Sequence, residues 1–211
     1  MSSKLFIAIL GLSCISVQVY AAPNGLNVMP TTDIYDSGQI SLELQSDGSG
    51  ERILSDDCQN FFNMQLGLGK GFDFGSDFCS DGHIYLNAKW SFLKEVKNIP
   101  AVAFGVQNLL ITESPVSFGP YLVFTKSFFN FRLHSGLINI DKEIKPLAGL
   151  DFPMNNLITI QIDYLDGISF APVVNLQENI VLTPAIIYSS NSEILHSINL
   201  QWLFNFKEDD K

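Results

Sequence analysis

Short segments in which large apolar side chains alternate with polar or small ones recur along most of this chain. The clearest is His83–Phe92, and Ile158–Tyr164 and Ile198–Phe206 repeat the same pattern. Successive side chains of a β-strand point to opposite faces, so a period of two indicates strands that each have one apolar face. The chain is therefore predicted to be all-β.

The alternation predicts about twelve strands of roughly 8–11 residues, the length that a tilted strand needs to cross a bilayer. The predicted strands are Gln39–Gln45, Phe61–Leu68, Phe72–Phe78, His83–Leu93, Ala101–Leu110, Val116–Thr125, Phe129–Ile138, Lys145–Phe152, Leu157–Leu165, Ile168–Leu176, Ile180–Tyr188 and Leu195–Phe206. Turn-forming residues separate several of them, such as Asp166-Gly167.

The N-terminus has the features of a signal peptide for export by the Sec pathway. Lys4 supplies the positive charge, Leu5–Val17 is too short an apolar run to span a bilayer, and Val19–Ala21 suits cleavage before Ala22. Cys14 raises the alternative of a lipid anchor, but the residue three before it is Gly rather than aliphatic. Residues 1–21 are therefore predicted to be a signal peptide.

Composition bears on which solvent the apolar faces meet. Only 16% of the residues are charged while 46% are hydrophobic, and a soluble protein averages about 25% charged residues. The opposite face is rich in small residues and amides, which suit a crowded, wet interior. The sequence therefore predicts a closed antiparallel up-and-down transmembrane β-barrel of about 12 strands (10–12) in the outer membrane of a Gram-negative bacterium. The alternative is a soluble periplasmic barrel whose apolar faces line a ligand cavity.

The predicted organisation has four parts: the signal peptide at 1–21, an irregular segment at 22–38, the barrel at 39–206 and a charged tail at 207–211. An even strand number places both termini on one side, which we expect to be the periplasm. The long connection at 46–60 then lies outside.

Two sets of side chains follow from this topology. Charges on the inward face are expected to pair across the lumen, or to set the selectivity of a narrow pore; they are Glu43, Asp73, Lys89, Arg132, Asp151 and Asp163. Aromatic side chains near strand ends on the apolar face are expected to form interfacial girdles; they are Trp90, Phe92, Tyr164, Tyr188, Trp202, Phe204 and Phe206.

After removal of the signal peptide two cysteines remain, Cys58 and Cys79, at the same end of the predicted hairpin 61–78. An even count in an exported chain suggests a disulfide, and we expect this one to join the first two external loops. Acidic residues crowd the same loops, opposed by Arg52; they are Asp47, Glu51, Asp56, Asp57, Asp77 and Asp81. They lack the spacing of a calcium-binding loop, so no metal site is predicted.

The sequence offers little for catalysis or nucleic-acid binding. Ser135 directly follows His134, so the two side chains of a strand would point to opposite faces and could not form a catalytic pair. A net charge of −10 disfavours a nucleic-acid partner. We expect no enzyme activity and no cofactor, with a membrane-embedded enzyme as the weaker alternative.

Two resemblances add expectations. Asn199–Phe206, with aromatic residues two apart, resembles the C-terminal signal that the barrel-insertion machinery reads, although Gln201 stands where that pattern prefers Gly. Gly25–Asp33 followed by Gly38, together with Ala88–Trp90 and Pro100–Val106, resembles YjbH-like outer-membrane barrels. That resemblance implies no defined activity and at most an envelope or exopolysaccharide partner. The expected role is thus envelope-structural or that of a narrow pore, surrounded by outer-membrane lipid.

Overall fold

The computed structural model describes residues 29–47, 60–80, 82–110, 119–140, 142–165, 167–190 and 192–206. Its strands are β1 (Gln39–Asp47), β2 (Asn60–Gly69), β3 (Phe72–Cys79), β4 (Ile84–Leu93), β5 (Ala101–Leu110), β6 (Gly119–Phe128), β7 (Phe131–Ile140), β8 (Glu143–Pro153), β9 (Ile158–Tyr164), β10 (Gly167–Gln177), β11 (Ile180–Ser189) and β12 (Ile194–Asn205). Within these described residues no helix is long and apolar enough to cross a membrane.

The twelve strands close into one antiparallel barrel in which each pairs with its neighbours along the chain. The ring closes where β1 pairs with β12, from Gln39 opposite Asn205 to Asp47 opposite Ser197. This seam satisfies backbone hydrogen-bonding groups that an open sheet would leave at its edges. The prediction of a closed up-and-down barrel of about twelve strands is confirmed.

The two ends of the barrel differ in their connections. At one end, called the turn end, β1 begins, β12 ends, and the strands are joined through residues 70–71, 94–100, 129–130, 154–157 and 178–179. The opposite end, called the loop end, carries residues 48–59 and 111–118, which lie outside the described residues. Both ends of the barrel sequence therefore meet at the turn end, as the even strand number predicts.

The apolar faces of the strands point outward. Large apolar side chains on every side of the barrel are exposed, among them Leu44, Phe74, Phe104, Leu137, Ile162, Phe170, Ile186 and Ile198. The alternate residues of the same strands point inward and are buried, and many are polar, as with Gln65, Thr125, Gln161 and Gln201. This is the reverse of the soluble ligand-binding barrel, in which the apolar faces would line the cavity.

The predicted strand ends are wrong by two or three residues at β6 and β7. The sequence places that turn at residues 126–128, whereas the chain turns at Phe129 and Asn130. Phe129 adopts φ 42°, a left-handed conformation that bulky residues rarely take. The turn carries Asn130 but no Gly or Pro, and a phenylalanine takes the left-handed position, so the turn signal was weak and Asn130 fitted the polar face of a strand.

Candidate functional site: the lumen and the segment inside it

The described residues that precede the first strand lie inside the barrel. Met29–Gly38, the inner segment, contains Met29, Thr31 and Tyr35, which are 1%, 0% and 3% exposed. Met29 packs in an apolar cluster formed by wall residues of the barrel, namely Ala103, Tyr121, Val123, Ile138, Leu147 and Leu165. Leu165 follows the loop end of β9, so the inner segment extends from the turn end well into the barrel. The prediction of an irregular segment at 22–38 did not place it there.

A tight reversal at the turn end joins the inner segment to β1. The amide of Gln39 donates to the carbonyl of Asp36 at 3.0 Å, and the amide of Gly38 donates to the carbonyl of Gly67 at 2.9 Å. Gly38 has φ 81°, which glycine adopts without the steric cost of a Cβ. The chain therefore leaves the lumen and enters the wall within four residues, Asp36–Gln39.

Arg132 ties the inner segment to the wall. Its Nη1 donates to Asp33 Oδ1 at 2.8 Å, and its Nε donates to Asp151 Oδ2 at 2.9 Å. Asp33 belongs to the inner segment, while Arg132 and Asp151 face each other across β7 and β8. Charge-assisted bonds of this kind are among the stronger ones in proteins. One guanidinium thus bridges the segment and two strands.

Two further contacts hold the middle of the segment. The amide of Tyr35 donates to Asp73 Oδ1 of β3 at 3.0 Å, and Gln201 Nε2 of β12 donates to the Tyr35 hydroxyl at 3.1 Å. Since β3 and β12 lie on either side of β1 and β2 in the ring, Tyr35 spans four adjacent strands. The segment is therefore fixed at several points of the wall.

The absence of a side chain at Gly67 makes room for the segment. A Cβ built at this position would collide with the carbonyl oxygen of Asp36 and lie 2.7 Å from Tyr35 Cβ. Gly67 is on the inward face of β2, opposite Asp73 of β3. Glycine here permits a close approach between two backbones. Any larger residue would force the inner segment away from the wall.

A line of polar groups runs from the inner segment to Asp151. The amide of Thr32 donates to Thr125 Oγ1 at 3.4 Å, and that hydroxyl lies 2.9 Å from His134 Nδ1. His134 Nε2 is in turn 3.3 Å from Asp151 Oδ2. The order Thr, His, Asp is that of a catalytic triad, but Thr125 is 2% exposed and is covered by the segment. We assign the line to the network that positions the segment. Ser135 lies on the outer face, away from His134.

The structure places all six charged residues proposed for the lumen on the inward side. Glu43, Asp73, Lys89, Asp151 and Asp163 are at most 7% exposed, and Arg132 is half-buried. Glu43 accepts a hydrogen bond from the Asn199 side chain, and Lys89 is the cross-strand partner of Asp73.

Asp77 also faces inward, although the sequence grouped it with the acidic loops. It is 4% exposed and accepts hydrogen bonds from the side-chain amides of Asn63 and Asn87. Its even spacing from Asp73 along one strand was the signal that could have placed it in the lumen. The other acidic loop residues and Arg52 lie outside the described residues, apart from the backbone of Asp47. The described part of the chain contains no group of three or more His, Cys, Asp or Glu side chains suited to a metal ion.

Several buried polar atoms of the wall have no hydrogen-bond partner among the described residues. Both amide atoms of Gln161 are in this state, as are Gln65 Oε1, Gln201 Oε1 and Thr159 Oγ1. Gln161 is 0% exposed. Buried polar groups in a permanently packed core are nearly always paired, so this lining is unlike an ordinary core.

The aromatic residues proposed for the girdles lie on the outer face in two groups. Trp90, Phe92, Trp202, Phe204 and Phe206 are near the turn end, whereas Tyr164 and Tyr188 are near the loop end. Phe72 stacks on Trp90 with ring centroids 5.4 Å apart, which adds to the turn-end group.

Cys79 ends β3 at the loop end and is buried. Its proposed partner Cys58 lies outside the described residues, but Phe61, three positions later, is the register partner of Cys79. The disulfide stays a prediction, as do the signal peptide and the charged tail, which also lie outside the described residues.

Comparisons with known proteins address the fold. No family model and no curated protein matches the sequence. A solved structure described as KdgM porin superposes with a TM-score of 0.57 at 11% identity, covering 79% of this chain and 99% of that one. The chain has the fold of KdgM porin. KdgM porin in complex with disordered oligogalacturonate gives a TM-score of 0.56 at 10% identity, covering 80% and 99%. The resemblance to YjbH-like barrels stays a prediction.

Proposed function

We propose that the protein is a non-catalytic outer-membrane β-barrel with a narrow pore, and that the inner segment closes this pore in the state described. The single observation that carries the proposal is a polar, charged lumen that is filled by a separate segment of chain and lined by buried amide groups with no partner among the described residues. A barrel that served only as a rigid body would gain stability from a fully paired or apolar interior.

The outer surface of the barrel supports a location in a lipid bilayer. Apolar side chains cover the exterior and aromatic groups lie near both ends, which is the arrangement of outer-membrane barrels. We therefore propose export by the Sec pathway, insertion by the barrel-insertion machinery through the C-terminal signal at 199–206, and outer-membrane lipid as the immediate surroundings. The KdgM-like fold supports this localisation in a Gram-negative bacterium.

The lumen of this chain is a poor match for oligogalacturonate, the ligand of the neighbouring porin. Galacturonate carries a carboxylate on each sugar, and a passage for such an oligomer needs cationic lining. Among the described residues of this chain, carboxylates outnumber cationic groups on the inward face, with Asp73, Asp77 and Asp163 among them. The shared fold therefore does not imply a shared solute.

The pore can be tested with purified protein in planar lipid bilayers. We expect wild-type protein to conduct rarely, and Gly67→Ala to conduct often because the added Cβ displaces the inner segment. Gly119→Ala is the matched control, since a Cβ at that inward strand position meets its nearest atoms at an ordinary 3.4 Å, none of them in the inner segment.

An engineered disulfide tests whether the inner segment is the element that closes the pore. In the Gly67→Ala background, Thr32→Cys with Thr125→Cys places two thiols where a backbone amide and a side chain already lie within 3.4 Å. Oxidation is expected to silence the channel and reduction to restore it, while either single cysteine has no such effect. Conduction that persists in the oxidised pair contradicts closure by the segment.

The closed lumen also favours a second role, that of an envelope-structural barrel without conduction. In that case Gly67→Ala would insert into membranes, show the mobility shift of a folded barrel on unheated gels, and still pass no current.

A further inference from the structure

Resting on the proposed pore function, we propose that the open pore passes cations and neutral solutes in preference to anions. The observation is the charge of the inward face together with its amide-rich lining. The solute class is thus the opposite of the one that the neighbouring porin's ligand suggests.

In the part of the lumen that the structure describes, carboxylates outnumber cationic groups. Between the rims, the described inward carboxylates are Asp33, Glu43, Asp73, Asp77, Asp151 and Asp163. The described inward cationic side chains are Lys89, Arg132 and Lys145, the last placed there by its pairing with buried Ile138. This leaves a formal excess of three negative charges. Withdrawal of the inner segment would remove Asp33 and leave an excess of two.

The excess is concentrated on one wall. Strands β1, β3 and β4 carry Glu43, Asp73 and Asp77 against Lys89. Glu43 and Asp77 accept hydrogen bonds from asparagine amides, which are neutral groups that hold the carboxylates in place. Across the lumen, Arg132 is already engaged with Asp151 and Asp33. Solute on the β1–β4 side therefore meets a negative wall.

Amide groups supply a second, independent feature. Gln65 Oε1, Gln201 Oε1 and both amide atoms of Gln161 are buried in the lumen and have no hydrogen-bond partner among the described residues. Side-chain carbonyl oxygens are suitable partners for hydrated cations and for hydroxyl groups of neutral solutes. The lining thus offers these amide groups on three strands of the wall, β2, β9 and β12.

The radius of the pore, compared with the distance over which salt screens charge, determines whether the charge excess acts on a solute in the middle of the pore. With a strand spacing of about 4.8 Å and a tilt of about 40°, a ring of this strand number has a backbone radius of about 12 Å, and side chains reduce the free radius further. The Debye length is about 8 Å at 0.15 M salt and about 3 Å at 1 M. Selectivity should therefore be clear at physiological salt and weak at 1 M.

The experiment measures the reversal potential of Gly67→Ala channels under a tenfold KCl gradient with about 0.15 M on the concentrated side. We expect a potential of the sign that indicates K⁺ permeation, with a permeability ratio of K⁺ to Cl⁻ of about 3 or more. Shifting the same gradient to a mean above 1 M should bring the ratio toward 1.

Charge variants assign the selectivity to the lumen. Glu43→Gln with Asp77→Asn, in the same background, should lower the ratio at least about twofold, since the acidic wall loses both carboxylates. Glu178→Gln is the matched control, because it removes a carboxylate from an exposed turn at the barrel's end. Folding of each variant is checked by its unheated gel mobility.

The outcomes separate the two proposals. Channels that prefer Cl⁻, or that keep their ratio in the double variant, overturn the cation inference and leave the pore intact. A folded, inserted Gly67→Ala barrel that carries no current overturns the pore and the inference together.

Discussion

At the scale of single residues, Arg132 joins the inner segment to the wall through ion pairs. It contacts a carboxylate of the segment and a carboxylate of the wall at once. Removing one partner of a partly buried ion pair leaves the other charges without compensation. The stability of the closed state should therefore depend on this guanidinium more than on any exposed lysine.

We predict that Arg132→Gln lowers the free energy of unfolding in detergent micelles by about 1–3 kcal/mol, less than for a fully buried pair because the side chain retains some solvent contact. Arg132→Lys should recover only part of the loss, since an ammonium cannot reproduce the forked contacts. Urea titration followed by tryptophan fluorescence measures both. Equal stability of Arg132→Gln and wild type would contradict the bridging role.

Glu95 performs a smaller task at the turn end. Its carboxylate accepts from Lys126 Nζ at 2.7 Å and from the amide of Ser127 at 3.0 Å. Partial burial raises the pKa of the Glu95 carboxyl, but the hydrogen bonds from Lys126 and Ser127 outweigh it and hold the pKa below its usual range. The ionised carboxylate therefore fastens the long turn between β4 and β5 to the end of β6.

The sign of the pH effect follows from a lowered pKa. The stabilisation is complete above the ordinary glutamate pKa and is lost as the pH falls through the lower value of the folded state. We predict that Glu95→Gln costs under about 1 kcal/mol at pH 7, as is usual for exposed pairs, and that the difference from wild type is smaller at about pH 3. Urea midpoints at the two pH values measure this; a difference that grows on acidification would contradict it.

At the scale of elements, the turn between β6 and β7 is the least favourable that the described strands use. Phe129 has φ 42° and its side chain is fully exposed, so it holds a conformation that costs about 1 kcal/mol or more in bulky residues. Phe129→Asn should stabilise the purified barrel by about 0.5–1 kcal/mol, because asparagine adopts this region readily. Phe128→Asn, one residue earlier at the end of β6, is the control and should not stabilise. Thermal unfolding in detergent reports the two shifts.

The strands could be predicted from the sequence, whereas the position of the inner segment could not. Alternation located the strands to within a few residues because period two is a local property of each strand. The inner segment could not be located in this way, since Met29–Gly38 has no period. Its position depends on two contacts of Tyr35 with residues that are distant in the sequence. Asp73 lies 38 positions further along the chain and Gln201 lies 166 positions further. Gly67 was visible as a small inward residue, but its role became apparent only with Asp36 packed on it.

At the scale of the whole molecule, the two faces of the wall should respond oppositely to charge. Phe104→Arg places a guanidinium on the outer face of β5, where it should cost about 2–4 kcal/mol in a bilayer. Gln107→Arg, on the inner face of the same strand, should be tolerated far better. Folding yield into lipid vesicles, read from unheated gels, measures both. A soluble barrel would give the reverse ranking, with the outer charge harmless.

The seam between β1 and β12 sets an order of assembly. The strand that follows the inner segment pairs with the last strand of the barrel, so the ring cannot close until the final residues have been added. Gln201, which holds Tyr35, also belongs to that last strand. The contacts that hold Tyr35 are therefore complete only when the last strand has paired, so closing the wall and fixing the interior depend on the same residues.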